Sequence, residues 1–179
     1  MNKFSKWTLI VIGSLVVLFF IFKTYTKSHS PQEVVEYSSG DLELSVEYSR
    51  PYKKDREIFG GLVPFGSTWR TGANEATVFK TNQEISFGGE VLAEGSYSLW
   101  TIPTPEKWTV ILNTETGQWG VKGPSLEPNK DPANDVLSIE VDPNATASVK
   151  EQFEISFNDS DGLKMVMEWD QTKVSVSIN

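Results

Sequence analysis

The chain has 179 residues, a formal net charge of −8 at pH 7, no Cys and a single His. All 24 Asp and Glu lie after residue 27, against only 12 of the 16 Lys and Arg, so residues 28–179 carry −12. That balance argues against electrostatic attraction to nucleic acid or to an acidic membrane surface, and the missing Cys excludes disulfides, thiolate nucleophiles and Cys-ligated zinc. One His leaves no His-rich metal site and no ready Ser-His-Asp triad, so neither a metal centre nor a cofactor is expected.

Residues 7–22, Trp-Thr-Leu-Ile-Val-Ile-Gly-Ser-Leu-Val-Val-Leu-Phe-Phe-Ile-Phe, carry no charge and sit between Lys3 and Lys6 on one side and Lys23 and Lys27 on the other. A bilayer core asks for roughly 20 helical residues. Thr24, Tyr25 and Thr26 extend the window, Lys23 can snorkel to the headgroups, and Trp7 and Tyr25 stand where interfacial aromatics belong. A cleaved signal peptide competes with this reading. No Ala-x-Ala follows the apolar run, however, and the best small-x-small site, Ser28-His29-Ser30, precedes Pro31. The pattern therefore predicts a short flank over 1–6, an uncleaved transmembrane signal-anchor over 7–24, a linker over 25–31 and one domain over 32–179. Two Lys flank each side, and the α-amine tips the balance toward an N-terminus inside the cell, with the domain outside the cytoplasm, in the periplasm.

Residues 28–179 are long enough for one real core, burying roughly 70% of the unfolded surface. Period-2 patterning dominates them. Leu42, Leu44, Val46 and Tyr48 alternate with Glu43, Ser45, Glu47 and Ser49. Similar runs recur at 76–81, 84–87, 97–102, 108–112, 135–141, 150–157, 163–169 and 173–178, separated by turn-formers such as Gly88-Gly89 and Asp170-Gln171-Thr172. Nine or ten short strands predict an all-β, antiparallel β-sandwich, jelly-roll or Ig-like, with the last three runs as a meander. Residues 30–37 read two ways. Ser30-Pro31-Gln32-Glu33 fits a capped helix start, whereas Gln32–Tyr37 followed by Ser-Ser-Gly-Asp suits a hairpin; the hairpin is the reading taken. Residues 50–75 and 113–134 break the strand rhythm, and long irregular segments are either functional or held by their own packing.

Three stretches carry a family resemblance: Tyr48-Ser49-Arg50-Pro51, then Arg56-Glu57-Ile58-Phe59-Gly60-Gly61-Leu62-Val63-Pro64-Phe65-Gly66, then Trp69-Arg70-Thr71-Gly72-Ala73-Asn74-Glu75. With Ala93–Leu99, Trp108–Ile111, Gln118-Trp119-Gly120 and the closing Glu168-Trp169, the chain from Ser30 onward resembles a bacterial envelope family catalogued as domain of unknown function 2911. Such proteins commonly carry secretion or lipoprotein signals. The resemblance implies an envelope location and brings neither activity nor catalytic residues.

The chain's three Arg, Arg50, Arg56 and Arg70, fall within 21 consecutive residues, while its 13 Lys are scattered. An Arg fork suits bidentate contact with carboxylate or phosphate, so the cluster is a candidate seat for an anionic ligand. Its alternative use is to pin an irregular loop to the sheet through Glu57, Glu75 or other acids. Asn74 and Glu75 stand just before a strand and are ligand candidates, Asn also being a routine turn residue. Trp100, Trp108 and Trp169 lie in alternating runs and read as core. Trp69 and Trp119 lie in the irregular segments and are the aromatic candidates for a glycan. Asn158-Asp159-Ser160-Asp161-Gly162 lacks a twelfth-position Glu, so it reads as a hairpin turn rather than a calcium loop. Asn129, Asp131, Asn134 and Asp135 are a weaker oxygen-ligand set. The binding residues expected are thus Arg50, Arg56, Trp69, Arg70, Asn74, Glu75 and Trp119, with no catalytic set. The leading function is a non-catalytic envelope module for a glycan, peptide or protein partner. The alternative is a glycan hydrolase with a carboxylate pair, Glu75 its nominal acid.

Overall fold

A computed structural model describes residues 3–124 and 126–179. The described residues begin in one helix, α1 (Lys3–His29), which leads through Ser30-Pro31 into a hairpin, β1 (Gln32–Ser39) and β2 (Leu42–Ser49). Then come β3 (Thr77–Thr81), β4 (Ile85–Phe87), β5 (Glu90–Leu92), β6 (Gly95–Pro103) and β7 (Trp108–Asn113). Two short strands, β8 (Val121–Lys122) and β9 (Glu127–Pro128), precede β10 (Asp135–Val141), β11 (Asn144–Asn158) and β12 (Lys164–Ser177).

Helix α1 is long and apolar enough to cross a membrane: within Ser5–His29 an 18-residue window has a mean hydropathy of 2.1, and none of that window is buried against the rest of the chain. It continues through residues 25–29, where a linker was expected. The Thr24 hydroxyl donates to the Phe20 carbonyl at 2.9 Å, and Ser28 donates to the Tyr25 carbonyl at 2.7 Å. The helix stops where Pro31 disfavours helical geometry in the residue before it. Of the expected 1–6 flank, Met1, Asn2 and the side chains of Lys3 and Phe4 lie outside the described residues, and so do the side chains of Phe22 and Lys23 further along the helix.

The main sheet has six antiparallel strands in the order β1-β2-β3-β6-β7-β10. Residues 30–37 enter it as the first hairpin strand, registered from Gln32 opposite Ser49 to Ser39 opposite Leu42. Jelly-roll and Ig-like sheets interleave strands through Greek-key connections; here the sheet follows chain order, with β4–β5 leaving it and returning. The facing layer is the β11–β12 hairpin, extended by β4 through the pairing of Phe87 with Ile178, and by β5 beyond it. Leu44, Val46, Phe79, Leu99, Val110 and Leu112 point from the main sheet into the same core as Phe153, Ile155, Met165, Met167, Trp169, Val174 and Val176. None of these is more than 2% exposed, and each contributes roughly 1.5–3 kcal/mol of burial. A smaller cluster, Ala76, Trp100 and Ile111, lies on the sheet's other face, where Gln118 reaches the Ser98 hydroxyl and accepts the Ala76 N–H.

The end of the chain differs from the expected meander. Asp170-Gln171-Thr172 lies inside β12 rather than in a turn. Asp170 takes φ +53°, and β11 answers with register slips on both sides of Lys150. Extra residues on one strand bend a ladder without reversing it, so two expected strands are one bent strand.

Candidate functional site

The stretch Trp69–Glu75 is built before its site can be. β3 begins with Thr77 opposite Leu99. Trp69 takes the next place along β6, exchanging hydrogen bonds with Thr101 at 2.7 and 2.9 Å. The chain between them makes a tight buckle. Thr71 sits at φ +53°, a genuine outlier for a β-branched residue. It is held there by a 3.1 Å contact between its hydroxyl and that of Thr101, and by the Thr77 hydroxyl donating to its carbonyl at 2.6 Å. Any side chain at Gly72 would bring a Cβ within 2.9 Å of the Ser49 carbonyl. Asn74, at φ +59°, donates to the carbonyl of Ser30, where α1 has just ended. Strain of this kind, about 1–3 kcal/mol per residue, persists only where surrounding bonds over-determine it. Here they join β2, β6 and the exit of the helix.

The buckle sends neighbouring side chains opposite ways. Trp69 enters an aromatic cluster, stacked on Trp169 at 5.9 Å and edge-on to Phe153 at 5.1 Å, its indole N–H donating to the Gly72 carbonyl. Arg70 turns toward a groove of about 940 Å³ whose floor includes Trp69, Trp169 and Val63. One wall is Pro51, Tyr52, Lys54 and Arg56, and the facing wall is Val121, Leu126, Glu127 and Pro128. His29 and Ser30, at the end of α1, close one side.

The three Arg part company. Arg50 is fully engaged, with Glu33 at 2.5 Å, Glu154 at 3.3 Å and the Phe153 carbonyl at 3.1 Å, so it ties β1 to β11. Arg56 donates to the carbonyls of Tyr52 and Lys53, which curls the loop and leaves its charge without an acid. Arg70 donates to the Trp119 carbonyl at 3.3 Å. Burial pushes its guanidinium below the usual value, the negative charge of Glu75 opposing part of that shift. Among the described residues, none of the ion pairs includes Lys54, Arg56 or Arg70. A domain of −12 net charge thus keeps three unpaired cations together, with Glu127 the only carboxylate in the lining.

Gly120 makes room for this arrangement. It has φ +88°, and a Cβ there would stand 2.4 Å from Arg70 Cδ, so the arginine stem lies where only glycine permits it. On the other wall, Lys53 bonds Asp170 at 2.9 Å and the Arg56 carbonyl at 2.6 Å, while the Lys54 N–H donates to Glu151 at 3.0 Å. The bend at Asp170 therefore anchors the cationic loop to the β11–β12 hairpin.

Of the seven residues expected to bind, Arg56, Trp69 and Arg70 share the groove. Trp119, 37% exposed as a residue, supplies its carbonyl to Arg70. Asn74 lies under the buckle, and Glu75 pairs with Lys27 of α1 at 3.0 Å. Arg50 sits in its own ionic corner, so Arg50, Arg70 and Glu75 do not form one network. The sequence reading did not single out Lys54, Leu62, Gly120 or His29 as ligand residues. The first three lie in the irregular segments it marked, and that was the only signal available. Asp131 caps the short turn Pro132–Asn134, and Asp135 pairs with Lys130 and accepts from Asn113. Among the described residues, no three His, Asp or Glu side chains are grouped to hold a metal ion.

No curated protein and no solved structure matches the chain. The sequence model of one family does, over residues 30–178, its description being "Protein of unknown function (DUF2911)". That span runs from the exit of α1 to Ile178, which pairs with Phe87 in the second layer, and the chain belongs to the DUF2911 family.

Proposed function

We propose that this protein is a non-catalytic binding module tethered in a bacterial envelope by α1, its domain outside the cytoplasm, and that its ligand seat is the groove beside the tether. The observation that carries the reading is the trio of Lys54, Arg56 and Arg70, unpaired by acids on an otherwise acidic domain and set against apolar walls. Such a groove selects a ligand with an anionic head and an apolar body: the Arg forks take a carboxylate or phosphate, and the exposed Tyr52, Leu62 and Leu126 take the rest. A neutral glycan fits less well, because Trp69 has its indole N–H bonded to Gly72 and its faces in the core. Glu127 is the lone carboxylate in the lining and Glu75 is engaged with Lys27, so a two-carboxylate hydrolysis has no pair here.

Calorimetry tests the seat. The full chain in maltoside micelles is titrated with hexyl phosphate and with hexyl glucoside. Hexyl phosphate should bind the more tightly and lose roughly tenfold in Arg70→Gln; equal binding of both compounds overturns the reading. The tether is tested by alkaline carbonate washing of membranes, from which release into the supernatant counts against an embedded α1. Protease added to spheroplasts should digest the domain, and protection would place it in the cytoplasm.

A further inference from the structure

The groove's position says more than its charge. His29 and Ser30, the residues with which the chain leaves α1, are part of its lining. A helix that spans a bilayer ends at the headgroup layer, so a groove that starts at that end opens at the height of lipid phosphates. Two further contacts hold it there: Lys27 of α1 bonds Glu75, and Asn74 bonds the Ser30 carbonyl. Around the mouth, apolar side chains stay uncovered. Tyr52, Leu62 and Leu126 are 37%, 46% and 68% exposed, and Phe65, in the same loop as Leu62, is 44% exposed. Apolar and aromatic side chains beside cations are the composition of a surface that meets an anionic membrane interface.

We infer that the groove's occupant is an anionic phospholipid, its phosphate on Arg70 and Arg56 and one acyl chain laid along the exposed side chains of Tyr52, Leu62 and Leu126. This rests on the ligand seat proposed above and names its source as the bilayer that holds α1. Charge complementarity favours this occupant over a zwitterionic lipid. Three cations and one carboxylate leave net positive charge in the lining, which an anionic headgroup neutralises and a choline headgroup, with its own cation, meets less well. The groove's volume of about 940 Å³ is in the range of sites that enclose a drug-sized ligand, roughly 300–1,000 Å³, so it takes a headgroup and part of a chain while the remainder stays in the membrane.

The test is native mass spectrometry of the full chain released from maltoside micelles, with phosphatidylglycerol or phosphatidylcholine of equal acyl length added. The expected result is a phosphatidylglycerol adduct that outlasts the phosphatidylcholine adduct under collisional activation and falls roughly tenfold in Arg70→Gln. Should that variant fail to fold, Arg56→Gln on the exposed loop and Leu62→Glu on the acyl path are read instead, each expected to deplete the same adduct. Equal retention of the two lipids, or retention indifferent to all three substitutions, overturns the inference. The two failures separate cleanly. If hexyl phosphate binds through Arg70 but phosphatidylglycerol has no advantage, the lipid assignment falls and the anionic seat stands; if neither binds through Arg70, both fall.

Discussion

Arg50 and Arg70 belong to the same irregular segment and lead opposite lives. The first is enclosed by Glu33, Glu154 and the Phe153 carbonyl; the second is desolvated, holds one carbonyl and faces an open groove. The residue type is the same, so the difference lies in what the fold brings to each. Beside Arg50, strands β1 and β11 deliver two carboxylates. Beside Arg70, the buckle and the β8–β9 hairpin deliver main chain and apolar side chains. An arginine whose counter-charge is supplied by the protein is a fastener, and one left without it is open to charge from outside, the receptor role proposed for Arg70.

Substitutions probe that contrast, each read by guanidinium denaturation of the full chain in detergent. The largest loss is expected at the shared floor: Trp169→Ala should cost about 3–5 kcal/mol, because the indole is fully buried among three aromatic rings, Phe59, Trp69 and Phe153. A cost under 1 kcal/mol would mean the aromatic cluster is not the support of the groove. Next comes Gly120→Ala, expected to cost about 1–3 kcal/mol through its left-handed backbone and the collision with Arg70. It should also weaken hexyl phosphate binding, and unchanged binding would detach Gly120 from the seat. Arg50→Gln should cost about 1 kcal/mol, since its ion pairs are partly exposed, and leave ligand titrations as they are. Arg70→Gln should stay within about 0.5 kcal/mol of the parent, because it removes a desolvated charge as well as a bond, yet lose ligand. The reverse pattern for the two arginines would dissolve the distinction between fastener and receptor.

A pH dependence belongs to the fastener side. Tyr48 is buried, accepts the Ile155 N–H at 2.8 Å and donates back to its carbonyl at 3.2 Å. Burial raises its hydroxyl well above the ordinary tyrosine value. A group with a raised folded-state pKa contributes stability that is complete below its unfolded value, about 10 for tyrosine, and lost as pH climbs past it. Urea midpoints should therefore fall above about pH 10 and fall less steeply in Tyr48→Phe; parallel profiles would show that another group sets the alkaline limit.

Much of the architecture is written in local pattern. Alternation of apolar and polar residues identifies β2 and β10, because a half-buried strand must expose every second side chain. The run from Trp7 to Phe22 announces the apolar helix for a different reason, the roughly 20 apolar residues that a bilayer core asks of a helix. Pattern failed where backbone geometry overrode it. Asp170-Gln171-Thr172 has turn composition, but bulges in β11 turn it into a bend, and register between distant strands is invisible to a local reading. The irregular segments were legible as irregular, which marked both walls of the groove without showing that they face each other.

The amino-acid order alone determined the acidic β domain, the long apolar helix and the clustering of three arginines within one loop region. Each follows from composition and spacing along a single stretch of chain. Only the tertiary structure decided which arginine is neutralised and which is left open. Ion pairing depends on a few ångströms between atoms up to a hundred residues apart, and that proximity exists only once the two layers have packed.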